Sequence, residues 1–253
     1  MKQEAPTSIS RSSSLPETEK KEKIIEKIEE HVVLNERQKE LLRELGLPEK
    51  YDELNDSQKD GIVMIEKALV YLEDKYPQKF EYDGYVAGGI DGQYVTVKVT
   101  DSCPEEIVTV QIYKNNGQYE MVDDYENFIV AKEATEEMED FLSNYFNPAD
   151  IQVYIYVYEV QDGDTAPQRA IGVPDMMING LYTEEEVKTA AMEYAEWMKN
   201  VHHRKAGVAE FRLYSVENYE QINEFNYTDY FGEEEVRFKV NFQSDEPAEI
   251  KEY

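Results

Sequence analysis

The sequence predicts an α+β protein in which antiparallel sheets carry helices on one face, preceded by an N-terminal helical arm. Three observations predict it. Short segments in which Val, Ile or Phe alternate with polar residues recur along the chain, as a sheet buried on one side requires. Several of them run consecutively, which leaves no room for the helical crossovers of a parallel sheet. Between them stand longer stretches with apolar residues at helical spacing, most with a start or stop signal.

Residues 1–18 are rich in Ser, Thr, Pro and Glu and read as a flexible tether. Residues 19–50 form the helical arm. Its first helix, over 19–33, carries a narrow stripe of Ile24, Ile28 and Val32. Its second, over 36–45, stops at Gly46 with Pro48 beyond. A stronger helix then opens the body. Asn55 caps it with Gln58 as reciprocal partner, Ile62, Ile65, Leu69, Leu72 and Tyr76 share one face, and Pro77 ends it.

An aromatic strand over 80–86 leads to the Gly88-Gly89 bend. Two strands with clean alternation follow, over 93–100 (Val95, Val97, Val99) and 107–113 (Val108, Val110, Ile112). Asn115-Asn116-Gly117 is a tight-turn signal, folding the chain into a short strand over 119–122. Helical patterning resumes at Asp123, with Met138, Phe141, Leu142 and Tyr145 on one face before Pro148. The strand over 151–158 sets Ile151, Val153, Ile155 and Val157 against Tyr154, Tyr156 and Tyr158. Residues 161–182, with Gly163, Pro167, Gly172, Pro174 and Gly180, read as a long connection. Thr183 and Glu186 make a capping box for the next helix, and strands over 210–215 and 236–242 close the chain. The body divides into α+β halves at 51–160 and 161–253, and the pattern leaves open whether they share one sheet.

Charge excludes more than it identifies. Of 26 basic and 55 acidic residues, the first fifty positions hold 10 and 11, so the net −29 falls almost wholly on the body. Such a surface repels phosphate backbones and anionic head groups, so nucleic acid is not an expected partner. With 41% apolar residues there is material for a core, and the 20 tyrosines are unusual. The one cysteine, Cys103, excludes an internal disulfide and a two-cysteine metal site. No apolar run is long enough to span a bilayer.

The aromatic-acidic stretch Tyr71-Leu72-Glu73-Asp74-Lys75-Tyr76, then Phe80-Glu81-Tyr82-Asp83-Gly84-Tyr85-Val86, and Asp123-Asp124-Tyr125 are the most distinctive runs. In these, residues 35–160 resemble uncharacterised exported lipoproteins of gut-type Gram-positive bacteria. The resemblance brings no activity and assigns no residue role. It implies an extracellular, surface-anchored protein whose tether follows a lipid-bearing cysteine. That cysteine would lie upstream of residue 1, and membrane attachment is expected through it alone. A cytoplasmic protein with a tail is the alternative. The bottom-up reading of these tyrosines is that they wedge helix against sheet edge.

Candidate ligand groups are few. Tyr154, Tyr156 and Tyr158 at alternate strand positions, with Tyr82 and Tyr85, form a candidate surface for a protein, peptide or carbohydrate. Cross-strand pairing, or cover by the second half of the chain, would equally account for the three strand tyrosines. Asp162 and Asp164 on a glycine turn could hold calcium, though the EF-hand pattern is absent; no other cofactor is expected. His202-His203, with Arg204 and Lys205, suit a helix C-terminus, and adjacent helical histidines cannot share a tetrahedral metal. Acidic neighbours disfavour a reactive Cys103. No nucleophile elbow, phosphate loop or dinucleotide fingerprint occurs. The expected function is a non-enzymatic extracytoplasmic binding module. The alternatives are an accessory hydrolase or cation-binding protein using carboxylates and tyrosines, and a cytosolic acidic inhibitor.

Overall fold

The computed structural model describes residues 33–89, 92–100, 106–115 and 118–253. The expected tether, residues 19–32 of the first expected helix, His31, Cys103 and the Asn116-Gly117 turn lie outside the described residues. Contacts divide the chain into two compact units, Met1–Lys67 and Ala68–Tyr253.

In the first unit, α1 (Glu36–Glu44) starts at Asn35. The Asn35 side chain accepts from the Gln38 amide at 2.8 Å while the Gln38 side chain accepts from the Asn35 amide at 3.0 Å. The helix ends at Gly46, whose φ of +68° glycine adopts without a Cβ penalty. A 3-10 turn (Tyr51–Glu53) leads to α2 (Asp56–Lys75), capped by Asn55 and Gln58 as expected. Leu34, Leu42, Leu54 and Ile62 form a small core, so α1 packs inside its own unit.

The second unit takes in the last turns of α2, from Ala68, and then an antiparallel meander in the order β1 (Phe80–Gly89), β2 (Gly92–Val99), β3 (Ile107–Asn115), β4 (Gln118–Asp123). Alternation buries Val95, Val97, Val99, Val108, Val110 and Ile112 on one face. Helix α3 (Tyr125–Leu142) follows, then β5 (Ile151–Ile155), the first strand of a second sheet.

The stretch expected to be a connection is instead built. It holds the one-turn α4 (Ala166–Arg169), β7 (Ala170–Ile171), which pairs with β6 (Glu159–Val160) just before the stretch, and β8 (Pro174–Asn179). In β8 Met176, Met177 and Ile178 are all fully buried, so neither face alternates with solvent and period-two patterning is lost. Helix α5 (Glu184–Asn200), with the expected Thr183–Glu186 capping box, then crosses to β9 (Ala206–Tyr214), which runs parallel to β8. The other strand pairs among the described residues are antiparallel. After the short α6 (Val216–Tyr219), β10 (Val236–Gln243) and the unforeseen edge strand β11 (Glu246–Glu252) complete the sheet in the order β11-β10-β9-β8-β5. The boundary expected at 160 falls inside this sheet, because β5 pairs with β8.

Helices α3 and α5 cover one face of the second sheet. There Val130, Met138, Leu142, Val187, Tyr194 and Met198 pack with Met176, Ile178, Phe211, Phe238 and Val240. By alternation the opposite face presents Tyr154, Asp175, Met177, Glu210, Arg212, Tyr214, Arg237 and Lys239. Residues after β9 cover part of that face, where Met177, Tyr214, Tyr219 and Ile222 cluster with Tyr154, Tyr227 and Tyr230. The α+β class is as the sequence predicts.

Candidate functional site

The candidate tyrosines disperse. Tyr82 pairs with Val97 and Tyr85 with Val95, on the side of the first sheet where the valines are buried. Of the other three, Tyr154 alone lies in a strand, since β5 stops at Ile155 opposite Pro174, the first residue of β8. Tyr154 stacks on Tyr227 with ring centroids 4.3 Å apart and planes 12° from parallel. Tyr156 and Tyr158 follow the strand end and are 75% and 61% exposed. The three rings therefore do not line one strand face.

The residues that carry the sequence resemblance converge on Asp123. Its carboxylate, fully removed from solvent, accepts from the Tyr71 hydroxyl at 2.7 Å, the Tyr76 hydroxyl at 2.8 Å and Lys75 Nζ at 2.8 Å. The Tyr125 amide adds a fourth donor at 3.2 Å. Burial alone would raise the carboxyl, but these donors outweigh it and hold it below the usual carboxylate range. The Tyr125 ring meets Tyr76 and Phe80 edge-on at 4.8 and 5.2 Å. The motif thus joins the end of α2, the start of β1, the end of β4 and the start of α3. Its chemistry is that of a structural joint.

A second polar cluster occupies the face of the second sheet away from the helices. Arg212, 4% exposed, donates to Asp175 at 2.8 Å, to Glu234 at 2.9 Å and to Glu210. The Phe231 ring centroid lies 4.1 Å from its guanidinium carbon. Burial opposes the charge on Arg212, yet the surrounding carboxylates raise its pKa above the ordinary value. Asp175, by contrast, is pushed up by its burial, with Arg212 pulling the other way. Lys239 and Arg237 approach Glu210 at 3.7 and 3.9 Å. Three carboxylates meet three cations here, so the cluster closes on itself.

Arg204 does not close. After α5 the chain turns through His203 at φ 51°, and the Arg204 amide donates back to the Met198 carbonyl at 3.0 Å. Its Nη1 donates to the Gln168 and Ala170 carbonyls, each at 3.0 Å. Its Nε is buried without a partner, and no hydrogen bond uses Nη2. Residues 51–253 contain four arginines; Arg169, Arg212 and Arg237 pair with carboxylates, and among the described residues Arg204 pairs with none. Burial lowers its pKa from the ordinary guanidinium value, with Tyr194 and Tyr158 acting in the opposite direction.

Arg204 lines a cleft of about 430 Å³, within the range of small-ligand sites. Tyr158, Ile171, Val173, Val208, Phe242 and Pro247 supply its apolar walls, and Asn241, Gln243, Glu246 and Glu249 its polar rim. Two glycines let backbone approach closely. A Cβ on Gly172 would lie 2.4 Å from the Tyr156 carbonyl oxygen, and one on Gly207 would lie 2.4 Å from the Phe242 ring. Beside the cleft, residues 206–209 of β9 pair with β10 on one side only, because the β8 ladder begins at the Asp175–Glu210 pair.

The remaining candidates stay apart from this cleft. Asp162 and Asp164 are exposed on the turn before α4, where the Asp164 amide donates to the Gln168 side chain at 2.8 Å. No group of three His, Cys, Asp or Glu residues gathers among the described residues, so the pair gains no third ligand of those types. His202 is buried against Trp197, its ring edge-on at 4.1 Å, with Nδ1 2.7 Å from the Thr165 hydroxyl. The sequence singles out neither Arg204 as a ligand group nor Arg212. The usable signal is the rarity of arginine in so acidic a body.

No family model matches the chain, and no curated protein sequence matches it. Among solved structures, it is similar to a DUF5037 family protein from Ruminococcus gnavus ATCC 29149, at 12% identity and a TM-score of 0.43 over 71% of this chain and 91% of the other. It is also similar to a sex pheromone precursor from Lactobacillus salivarius subsp. salivarius UCC118, at 10% identity and a TM-score of 0.27, over 79% of this chain and 54% of that one.

Proposed function

We propose that the chain is a non-enzymatic, extracytoplasmic binding module that takes a carboxylate-bearing ligand in the Arg204 cleft. One observation carries the reading: in a chain of net charge −29, a half-buried guanidinium lines a cleft and no ion pair among the described residues joins it to a carboxylate, the rim acids Glu246 and Glu249 included. Burying a cation costs free energy unless an anion and hydrogen bonds offset it, and an incoming carboxylate would supply both. The same net charge disfavours large anions, so the ligand is small or carries positive charge as well. Binding fits better than hydrolysis. Tyr158, Glu246 and Glu249 rim the cleft, but no hydrogen bond couples the Tyr158 hydroxyl to either carboxylate. The extracytoplasmic placement rests on the composition of residues 1–18 and the single cysteine, and cleavage by protease added to intact cells tests it.

The cleft reading is tested by titrating isotope-labelled protein with N-acetyl amino acids and with their amides. Carboxylates are expected to shift the amide resonances of Gly172, Gly207 and Val208, while the amides leave them in place. Absence of shifts with every carboxylate up to about 10 mM, or shifts unchanged in Arg204→Gln, would overturn it.

A further inference from the structure

We propose that the occupant of the cleft is the C-terminal end of a peptide. Its last two or three residues would add a short strand to β9 at residues 206–208 and set the terminal carboxylate on Arg204. This rests on the carboxylate reading above and goes beyond it in naming the ligand class and its direction.

The first part of the argument is the sheet itself. A strand with a neighbour on one side only offers unpaired backbone donors and acceptors, the feature used by proteins that bind peptides as an extra strand. Here that edge is short and internal. β8 is the neighbour further along, but it starts at Pro174, which has no amide hydrogen to give. Immediately before it, Gly172 is drawn against the Tyr156 carbonyl, on the far wall of the cleft.

The second part is polarity. Arg204 precedes the start of β9, so a carboxylate placed there makes the peptide run antiparallel to β9. An apolar terminal side chain then meets the Val208 and Ile171 walls. Glu246 and Glu249 belong to β11, beyond β10 on the other side of β9 from this edge, so they leave the upstream residues of the peptide unspecified. Small carboxylates satisfy Arg204 alone; a peptide satisfies both Arg204 and the open edge.

The test uses the full chain and an array of free-acid hexapeptides randomised at the last three positions, alongside the same array amidated. Sequences with an apolar last residue are expected to be selected from the free-acid array. Amidation of the best binder should weaken it about 10- to 100-fold, the loss of one charge-assisted hydrogen-bonded contact. Scanning N-methylation along that peptide should weaken binding at alternate positions, because alternate amides of a strand face its partner. Arg204→Gln should remove the preference for the free acid. A flat N-methyl scan, or equal binding by the N-acetylated terminal residue alone, overturns the peptide proposal and leaves the carboxylate reading standing. Equal selection from both arrays, or a free-acid preference that survives Arg204→Gln, overturns both. The amide and N-methyl arms alter only the ligand, so they decide the matter even if the variant folds poorly.

Discussion

Arg212 and Arg204 stand on either side of the start of one strand and are used in opposite ways. Arg212 meets three carboxylates and an aromatic ring, so its burial is compensated within the chain. Arg204 holds two backbone carbonyls through one nitrogen and has no carboxylate partner among the described residues. A buried cation that is fully engaged specifies packing; one left incomplete beside a cleft is free to specify a ligand. In a body this acidic a carboxylate partner is easily supplied, which gives its absence at Arg204 weight.

The largest expected effect tests the engaged side. Arg212→Met removes the cation and leaves Asp175, Glu210 and Glu234 facing one another under partial burial. A loss of about 3–5 kcal/mol in denaturant unfolding is expected. The sign with pH follows. Without Arg212 the Asp175 carboxyl, already raised by burial, loses the cation that pulls it down and takes up a proton in the folded state before the unfolded chain does, so the deficit narrows as pH falls towards about 4. A loss under about 1 kcal/mol, or one indifferent to pH, would mean these contacts behave as surface pairs and the contrast with Arg204 is lost.

Asp123→Asn applies the same logic to a carboxylate and should cost about 1.5–3 kcal/mol, the range for hydrogen bonds to a charged group. Wild-type Asp123 has a depressed pKa, so its contribution is full above the unfolded value near 3.9 and is lost as pH falls through the lower folded one. The variant should therefore approach the wild type in strong acid. A constant gap down to about pH 2 would assign the loss to packing rather than charge.

These two knots were unequally legible in the sequence. Tyr71, Lys75, Tyr76, Phe80, Asp123 and Tyr125 occur in runs that stand out as aromatic and acidic, but the tyrosines were expected to wedge helix against sheet with their hydroxyls in water, and Tyr71 and Tyr76 instead donate to the Asp123 carboxylate. Strands β2 and β3 were readable because one face meets solvent, and α5 because its capping box is local. β8 was not, since burial on both faces erases alternation and Pro174 argued against a strand. β11 escaped because an edge strand of Glu, Pro and Lys looks like a loop. Tyr156 and Tyr158 misled for a related reason: the strand ends where its partner ends, and nothing local marks that point. The Arg204 cleft draws residues from 158 to 249, so only the assembled sheet reveals it.

His202, two residues from Arg204, sharpens the contrast with an uncharged group. Its pKa is lowered first by burial and then by the neighbouring His203. Glu137 is the nearest acid, 3.9 Å from Nε2, and Nε2 has no hydrogen-bond partner. The unfolded chain therefore protonates first, near pH 6.5, and stability falls with pH through the depressed folded value. His202→Asn should flatten the stability slope between about pH 7 and pH 5.5. If Glu137 instead captured the new proton, the wild type would hold its stability over that window and the variant would not differ.

The smallest stability effect is expected where the functional effect is largest. Arg204→Gln gives up two hydrogen bonds to the Gln168 and Ala170 carbonyls but also relieves a half-buried cation with an unpartnered Nε. These oppose each other, so unfolding should change by no more than about 1 kcal/mol, against the several lost at Arg212. Arg204→Lys keeps the charge and loses the planar fork, so it should retain stability and bind carboxylate weakly. The two arginines would then separate cleanly, one variant failing in unfolding and the other in ligand titration. A loss at Arg204 as large as that at Arg212, with carboxylate binding unchanged, would place both residues in the scaffold and leave the cleft without its cation.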